Sequence, residues 1–214
     1  MSLGRAEVLP RFRPFQRRFD SPGTVSIMVL PAKAVPKPPN PRPDRNLIER
    51  VRAHLDARRP LATELYVIGC EYRPLGVSVA IGIREGAARD QVVKAVRETL
   101  HGYLWALPPG GRDGAGWPLG QAVVNLELEV IVARVAGVRT TRGVNLFARD
   151  TTGFRLLAED PASRTQRLAL EPWQLPELLQ LTVAVDADAA PESLVAERPV
   201  GQDAVPIPVV PEVC

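Results

Sequence analysis

The segment from Glu71 to Arg84 constrains the fold more than any other part of the chain. Large apolar side chains alternate in it with very small ones: Leu75, Val77, Val79, Ile81 and Ile83 stand against Gly76, Ser78, Ala80 and Gly82. Because successive side chains of a β-strand point to opposite faces, this pattern predicts a long strand with one apolar face and one nearly smooth face. We expect the apolar face to lie on the core and the smooth face to be covered by another piece of backbone or by a helix.

The composition is that of a folded protein. Of 214 residues, 45% are hydrophobic and 24% are charged, a balance that excludes a chain disordered throughout. No run approaches the roughly 18 consecutive apolar residues that a membrane-spanning helix requires. Arginines occupy the region where a signal peptide has its apolar stretch, so we expect neither a membrane span nor secretion through a signal peptide.

Metal, disulfide and cofactor chemistry have no signature in the sequence. The two cysteines are Cys70 and Cys214, and the two histidines are His54 and His101. Their spacing fits neither a disulfide framework nor a zinc site. The Gly-rich stretch from Gly110 to Gly120 lacks the Gly-Lys-Ser/Thr of a phosphate-binding loop. We therefore expect no metal, no cofactor and no catalytic residue, and predict that the chain is not an enzyme.

Charge is distributed unevenly along the chain. Residues 1–60 carry 13 basic and 5 acidic side chains, a net charge of +8, whereas residues 158–214 carry 3 basic and 10 acidic ones, a net charge of −7. Ends of opposite charge favour docking between copies, or docking onto partners of complementary charge.

Four segments follow from composition and patterning. Residues 1–43 are rich in proline and arginine and are expected to form an extended basic arm that contains one strand, Thr24–Leu30. Residues 44–157 are expected to form an α+β core domain, residues 158–186 a small β extension, and residues 187–214 an acidic, proline-rich tail.

Periodicity predicts the elements of the core. We expect helices over Asp44–Arg58 and 87–107, and strands over Leu61–Ile68, Val138–Ala148, Phe154–Leu157, Thr165–Leu170 and Leu179–Val185. Residues 123–135 fit both a strand and a helix, and Gly137, where a left-handed cap would fall, favours the helix. Turns are expected at 140–143, at 150–153 and in the Leu-Pro-Glu-Leu-Leu sequence after Trp173. The predicted fold class is α+β, a ferredoxin-like mixed sheet with packed helices.

The arm interleaves arginines with phenylalanines. This mixture is found where proteins bind nucleic acid and also where they bind each other. The apolar strand at Thr24–Leu30 favours a protein interface, because a strand on an arm can add to the sheet of a partner; nucleic-acid binding through the arm is the alternative. Trp117, next to Pro118, is interpreted as closing the edge of the core rather than as a stacking platform. The residues predicted to lie at the interface are Arg11, Phe12, Arg13, Phe15, Arg17, Arg18, Phe19, Val25, Ile27, Val29, Asp113 and Trp117.

Three groups of residues carry a family resemblance. They are a strand with Thr63, Leu65, Val67 and Gly69; a loop with Gly110, Gly111, Asp113, Gly114, Gly116, Trp117, Pro118 and Gly120; and a helix containing Glu127 that is followed by Gly137 and Val138. In this order they resemble the C-terminal part of baseplate J-like proteins, over about residues 2–185. The Gly-Trp-Pro loop is the most specific part of the match, and the resemblance also supports a helix over 123–135.

The resemblance implies a structural role without catalysis. J-like proteins are wedge components of contractile phage tails and contractile injection systems; they dimerise and, with other wedge proteins, close a ring around the hub of the sheathed tube. Further copies and other wedge, hub and sheath proteins are thus the implied partners, and assembly in the bacterial cytoplasm into a phage tail-like particle is the implied location. We expect Arg11–Leu30 and Gly110–Gly120 to lie in contacts between subunits.

Overall fold

A computed structural model describes residues 2–194 of the chain. Its elements, in order, are β1 (Leu3–Pro10), β2 (Thr24–Pro31), α1 (Arg45–Asp56), β3 (Glu64–Gly69), β4 (Glu71–Ile83), α2 (Arg89–Tyr103), β5 (Val123–Val124), α3 (Asn125–Ala133), β6 (Val138–Asp150), β7 (Gly153–Leu156), β8 (Arg167–Leu168) and β9 (Gln174–Val185). The strands form a three-stranded sheet β1-β2-β3, a four-stranded sheet β7-β6-β4-β9 and a two-stranded sheet β5-β8. Both larger sheets mix parallel and antiparallel neighbours, which confirms the predicted α+β architecture.

Strand β4 lies in the interior of the four-stranded sheet. It is antiparallel to β6 and parallel to β9, so its backbone is hydrogen-bonded on both sides. Its large side chains, Leu75, Val77, Val79 and Ile81, are completely buried in the core. Helices α2 and α3 pack against this core through Val92, Val96, Leu100, Leu128 and Val132, as the three- and four-residue spacing of α2 predicts.

The smooth face of β4 is covered by the chain itself, as expected. Residues 187–194 cross this face: the hydroxyl of Ser78 donates to the carbonyl of Pro191, and Leu194 contacts Gly76 so closely that a Cβ there would collide with it. On the neighbouring strand, Asn145 Nδ2 donates to the carbonyls of Ala190 and Pro191 at 3.1 and 3.2 Å. The predicted tail therefore begins as a cover on the sheet, and its remainder, 195–214, lies outside the described residues.

The N-terminal segment forms a sheet rather than a free arm. Strand β1, which the sequence analysis does not predict, pairs antiparallel with β2, and β2 pairs in parallel with β3. Helix α1 connects the parallel pair, and the side chain of Asp44 caps it by accepting from the Leu47 N–H at 2.7 Å. Because both edges of β2 are paired within the chain, the expected addition of this strand to a partner's sheet does not occur in this structure.

Two local expectations are wrong, and the favoured helix over 123–135 is confirmed. Residues 140–143 are not a turn but lie inside β6, where a shift in register against β4 marks a bulge and Gly143 has φ +99°. The Leu-Pro-Glu-Leu-Leu sequence is not a turn but the first half of β9. Residues 123–135 contain both alternatives, a two-residue strand followed by helix α3, and Gly137 adopts the left-handed conformation expected of it.

Interactions cross the predicted segment boundaries. Strand β9, placed by sequence in a small extension, pairs with β4 along most of its length. The buried carboxylate of Glu177 on β9 accepts two hydrogen bonds from Arg42, at 2.9 and 2.6 Å, and one from the Asn40 N–H at 2.7 Å. One continuous apolar core also includes Leu9, Phe12 and Leu30 from the N-terminal segment. The division into four domains stays a prediction.

Shortening the chain tests the role of the cover. A chain that ends at Asp186 should lose about 2–4 kcal/mol in free energy of unfolding, because the apolar contact of Leu194 with Gly76 and the hydrogen bonds of Ser78 and Asn145 are lost. A chain that ends at Leu194 keeps these contacts and is the matched control. Urea unfolding of both variants checks this; equal midpoints would show that the cover contributes nothing to stability.

Candidate interaction surfaces

Aromatic stacking fixes the first loop of the chain on the body. The Phe12 ring lies 4.7 Å from the Phe19 ring and 5.1 Å from the Trp173 ring, measured between centroids. Phe12 is buried, and the hydroxyl of Ser26 donates to its carbonyl at 2.7 Å. Of these two predicted interface residues, Phe12 is therefore packed inside the chain, and Phe19 packs against it while remaining half-buried.

The arginines of this loop face carboxylates of the same chain. Arg13 bonds Glu64 at 2.6 Å, Arg17 lies 3.2 Å from Glu71, and Arg18 pairs with Asp20. Hydrogen bonds from Tyr66 and then from Arg13 hold the pKa of Glu64 below its usual value. Among the described residues, 2–194, Arg11 is the arginine of this loop without a carboxylate in ion-pair range. This pairing reduces the free positive charge that nucleic-acid binding would use.

One aromatic side chain of the loop remains outside. Phe15 is 86% exposed, and the edge of its ring meets the ring of Tyr66 at 5.7 Å. With the exposed side chains of Arg11, Arg17 and Arg18 it forms a surface that we call the Phe15 patch. An exposed aromatic side chain among exposed arginines of the same loop has the composition of an interface anchor.

The Gly-Trp-Pro loop is packed rather than presented. Trp117 is completely buried; its backbone N–H donates to the carbonyl of Trp105 at 2.8 Å, and its indole Nε1 donates to the carbonyl of Gln121 at 2.9 Å. The ring of Tyr103 meets it edge-on at 5.5 Å. The interpretation of Trp117 as the residue that closes the edge of the core is confirmed.

Arg5, which no sequence pattern singled out, holds this loop. One nitrogen of its guanidinium donates to the carbonyls of Ala106 and Trp117, at 2.7 and 2.8 Å, and the group also bonds Glu7 at 2.7 Å. Gly116 lies against these groups, so that a Cβ there would fall 2.5 Å from the Ala106 oxygen and 2.9 Å from Arg5. The Arg-Ala-Glu alternation of β1 is the one signal in the sequence for Arg5: it places Arg5 and Glu7 on the same face of a strand. It does not indicate which residues Arg5 contacts.

The predicted interface residues divide into buried and accessible groups. Phe12, Val29 and Trp117 are buried in the core, so their side chains have no surface to offer a neighbour in this conformation. Phe19, Val25, Ile27 and Arg13 are half-buried, and Arg11, Phe15, Arg17, Arg18 and Asp113 are exposed. For the accessible residues the interface stays a prediction.

A basic hollow lies beside α2. Its volume is about 600 Å³, and it is lined by Val35, Pro36, Lys37, Pro38, Lys94, Arg97, Glu98 and His101. Burial, followed by the charges of Arg97 and Lys37, lowers the pKa of His101. His101 is therefore held neutral among cationic side chains.

The described residues offer no metal centre or membrane helix. No group of three or more His, Cys, Asp or Glu side chains within 2–194 is placed to hold a metal ion. Helices in the same part of the chain are too short or too polar to cross a bilayer. Burial raises the pKa of the Cys70 thiol to about 12, so this cysteine is poorly suited to act as a nucleophile at neutral pH.

The fold is similar to that of a solved baseplate protein. A chain in the cryo-EM structure of the anti-feeding prophage baseplate, symmetrised six-fold, matches with a TM-score of 0.50 and 14% sequence identity. The match covers 85% of this chain and 33% of that chain, so the present chain spans about a third of its length. At this identity the likeness shows the fold. No protein-family model matches the sequence, and no curated protein gives a significant match.

Gly116 provides a test of the loop's packing. We expect Gly116→Ala to destabilise the fold by more than about 2 kcal/mol, because the new Cβ would meet a backbone carbonyl and the residue has φ +97°. Gly102→Ala, inside α2 with open space around its Cβ, is the matched control and should stabilise by about 0.5–1 kcal/mol. Thermal unfolding distinguishes them; a neutral Gly116→Ala would contradict the close packing.

His101 makes stability depend on pH. Because its pKa is lowered in the folded chain, the unfolded chain takes up the proton first, and the folded state loses stability as the pH falls through the ordinary histidine value of about 6.5. His101→Gln should flatten the decline between about pH 7 and 5. The exposed His54→Gln is the control, and urea unfolding across this range is the measurement. An unchanged slope in the His101 variant would overturn the assignment.

Proposed function

We propose that this chain is a structural, non-enzymatic subunit of the baseplate of a contractile phage tail or contractile injection system, acting as a wedge component. The observation that carries the proposal is the fold match over 85% of the chain to a chain of the anti-feeding prophage baseplate. The Gly-Trp-Pro loop and a motif order that resembles that of baseplate J-like proteins support it from the sequence.

The physical character of the molecule agrees with an assembly role. A subunit held between several neighbours needs a rigid body and accessible, polar contact surfaces. The aromatic stack, Arg5 and the ion pair of Arg42 with the buried Glu177 supply rigidity. The Phe15 patch supplies one accessible surface, and we propose that it contacts a neighbouring subunit, either a further copy or another wedge, hub or sheath protein.

The proposed location follows from this role. The chain would assemble in the bacterial cytoplasm and become part of a phage tail-like particle. Nucleic-acid binding through the arm is less well supported, because three of its arginines are paired with carboxylates of the same chain. This chain spans about a third of the baseplate chain that it matches, so contacts made by the other two thirds of that chain are not part of the proposal.

Particle purification tests the proposal. With an affinity tag on the chain, we expect sheath and tube proteins to co-purify from source cells, and negative-stain images to show sheathed tubes with the tag at one end. Phe15→Ala should weaken incorporation severalfold, because a desolvated aromatic anchor is lost. The exposed Leu61→Ala, which removes an apolar side chain that is not part of the Phe15 patch, is the matched control. Recovery of the chain alone, with no tail-like particle in the cells, would overturn the proposed function.

A further inference from the structure

All three lysines of the chain lie at the basic hollow beside α2. The chain has 24 arginines but only three lysines. Lys37 and Lys94 line the hollow, and Lys33 holds its wall by donating to the carbonyls of Lys37 and Pro39, at 3.0 and 2.6 Å. The ammonium group of lysine is a compact charge on a flexible stem, which can turn toward a single carboxylate. The lysines are therefore concentrated where a ligand can be enclosed.

One face of α2 forms a wall of the hollow. Lys94, Arg97 and His101 are three and four residues apart along the helix, so they project on the same side. The opposite side of α2 is buried in the core. The other wall is apolar and comes from the segment between β2 and α1, namely Val35, Pro36 and Pro38. The hollow thus combines cationic side chains with an apolar surface that suits the backbone and methylene groups of a peptide.

Charge in the lining of the hollow is predominantly positive. Three cationic side chains, those of Lys37, Lys94 and Arg97, line it together with the carboxylate of Glu98. Glu98 lies 3.9 Å from Lys94, and both side chains are exposed to water, so this ion pair is weak. Lys37 is exposed as well. The charge of the lining therefore favours an anionic ligand.

Two features favour a protein carboxylate over nucleic acid as that ligand. Nucleic acid is bound along an extended row of cations, with aromatic rings on which bases stack, whereas this hollow has a volume of about 600 Å³ and is lined by three cations. The aromatic ring near its wall, that of Trp105, is buried, and the Lys33 ammonium lies over it at 5.7 Å. The size of the hollow suits a short acidic peptide.

We propose that the hollow binds an acidic segment of another protein in the assembly, whose carboxylates contact the cationic groups of Lys37, Lys94 and Arg97. The apolar wall contacts the rest of the segment. Hydrogen bonds between such charged groups are strong, and salt screens the attraction that brings them together. The inference rests on the proposed function and deepens it, because it assigns a partner of stated chemistry to a surface other than the Phe15 patch.

Binding at this site should depend on pH through His101. Burial, followed by the charges of Arg97 on its own helix and Lys37 on the neighbouring segment, lowers the pKa of His101. Lys94 and Glu98 complete the charged lining. A bound carboxylate offsets the cations and lets His101 take up a proton at a higher pH. Binding should therefore strengthen as the pH falls through the ordinary histidine value of about 6.5.

A synthetic acidic peptide tests the site in solution. The probe is a fluorescein-labelled decapeptide of alternating glutamate and alanine, and the matching decapeptide of glutamine and alanine is its neutral control. We expect the acidic probe to bind about threefold more tightly at about pH 5.5 than at about pH 7.5, and to lose this pH dependence in His101→Gln. Fluorescence anisotropy with the full-length chain measures the dissociation constants. Equal binding of the two peptides, or no binding, overturns the proposal.

Charge reversal locates the site. Lys94→Glu should weaken binding of the acidic probe about tenfold. Arg52→Glu makes the same change in net charge at an exposed position of α1 and should weaken binding less than about twofold. A melting temperature near that of the unaltered chain shows that each variant is folded. Equal effects of the two variants would reduce the binding to general charge attraction and overturn the site.

Other occupants of the hollow are outcomes of the same assay. Tighter binding of a labelled oligothymidine of about ten nucleotides than of the acidic probe would assign the hollow to nucleic acid. Much tighter binding of the probe by a chain that ends at Leu194 would assign it to the chain's own acidic tail, and either result overturns the proposal. If the probe does not bind while the chain co-purifies with particles, this site is wrong and the baseplate role stands. If the probe binds but no particle is found, the acidic-peptide site stands without the baseplate role.

Discussion

The alternation of large and small side chains in β4 determines which parts of the chain can pack on each face of the four-stranded sheet. On one face, Leu75, Val77, Val79 and Ile81 require a thick apolar layer, which α2 and α3 provide. On the other face, Gly76 and Ser78 leave room for a single irregular segment of backbone, and residues 187–194 occupy it. The side chains of a packed helix would hold its backbone farther from the sheet than residues 187–194 lie. Without any cover, water would reach Ser78 and Ala80, whereas both are completely buried.

A second set of contacts connects the N-terminal sheet to the Gly-rich loop. Arg5 extends from β1 and donates to two carbonyls that no helix or strand satisfies, those of Ala106 and Trp117. Such backbone oxygens are costly when buried without a donor. Arginine suits this position, because its several N–H donors can serve two carbonyls and a carboxylate at once. The glycines around Trp117 allow the approach, and Trp117 itself fills the space beneath.

Sequence patterning predicted the elements whose stabilising contacts are local or strictly periodic. The helices α1 and α2 and the strands β2, β3, β4 and β6 follow from periodicity of apolar residues, and the burial of Trp117 follows from its size. The errors lie where distant contacts decide. Strand β1 is formed by pairing with β2, a partner that its own weak pattern does not specify. The first half of β9 contains Pro176, a typical turn residue, which is tolerated because Pro176 lies on the edge strand of the sheet.

The predicted interface residues show that composition alone does not distinguish a contact with a partner from packing within the chain. A mixture of arginines and phenylalanines looks the same in sequence whether it binds a partner or fixes the chain's own N-terminal segment. Phe12 stacks on Trp173 and Phe15 remains exposed, yet the sequence does not distinguish them. In α3 the periodicity favoured a helix without saying which apolar residues face the core, so the exposure of Leu126 and Val130 became visible only in the structure. A surface is therefore defined by what is left after internal packing is complete. For this molecule that remainder includes Phe15 with its arginines and the exposed Leu126 and Val130 of α3.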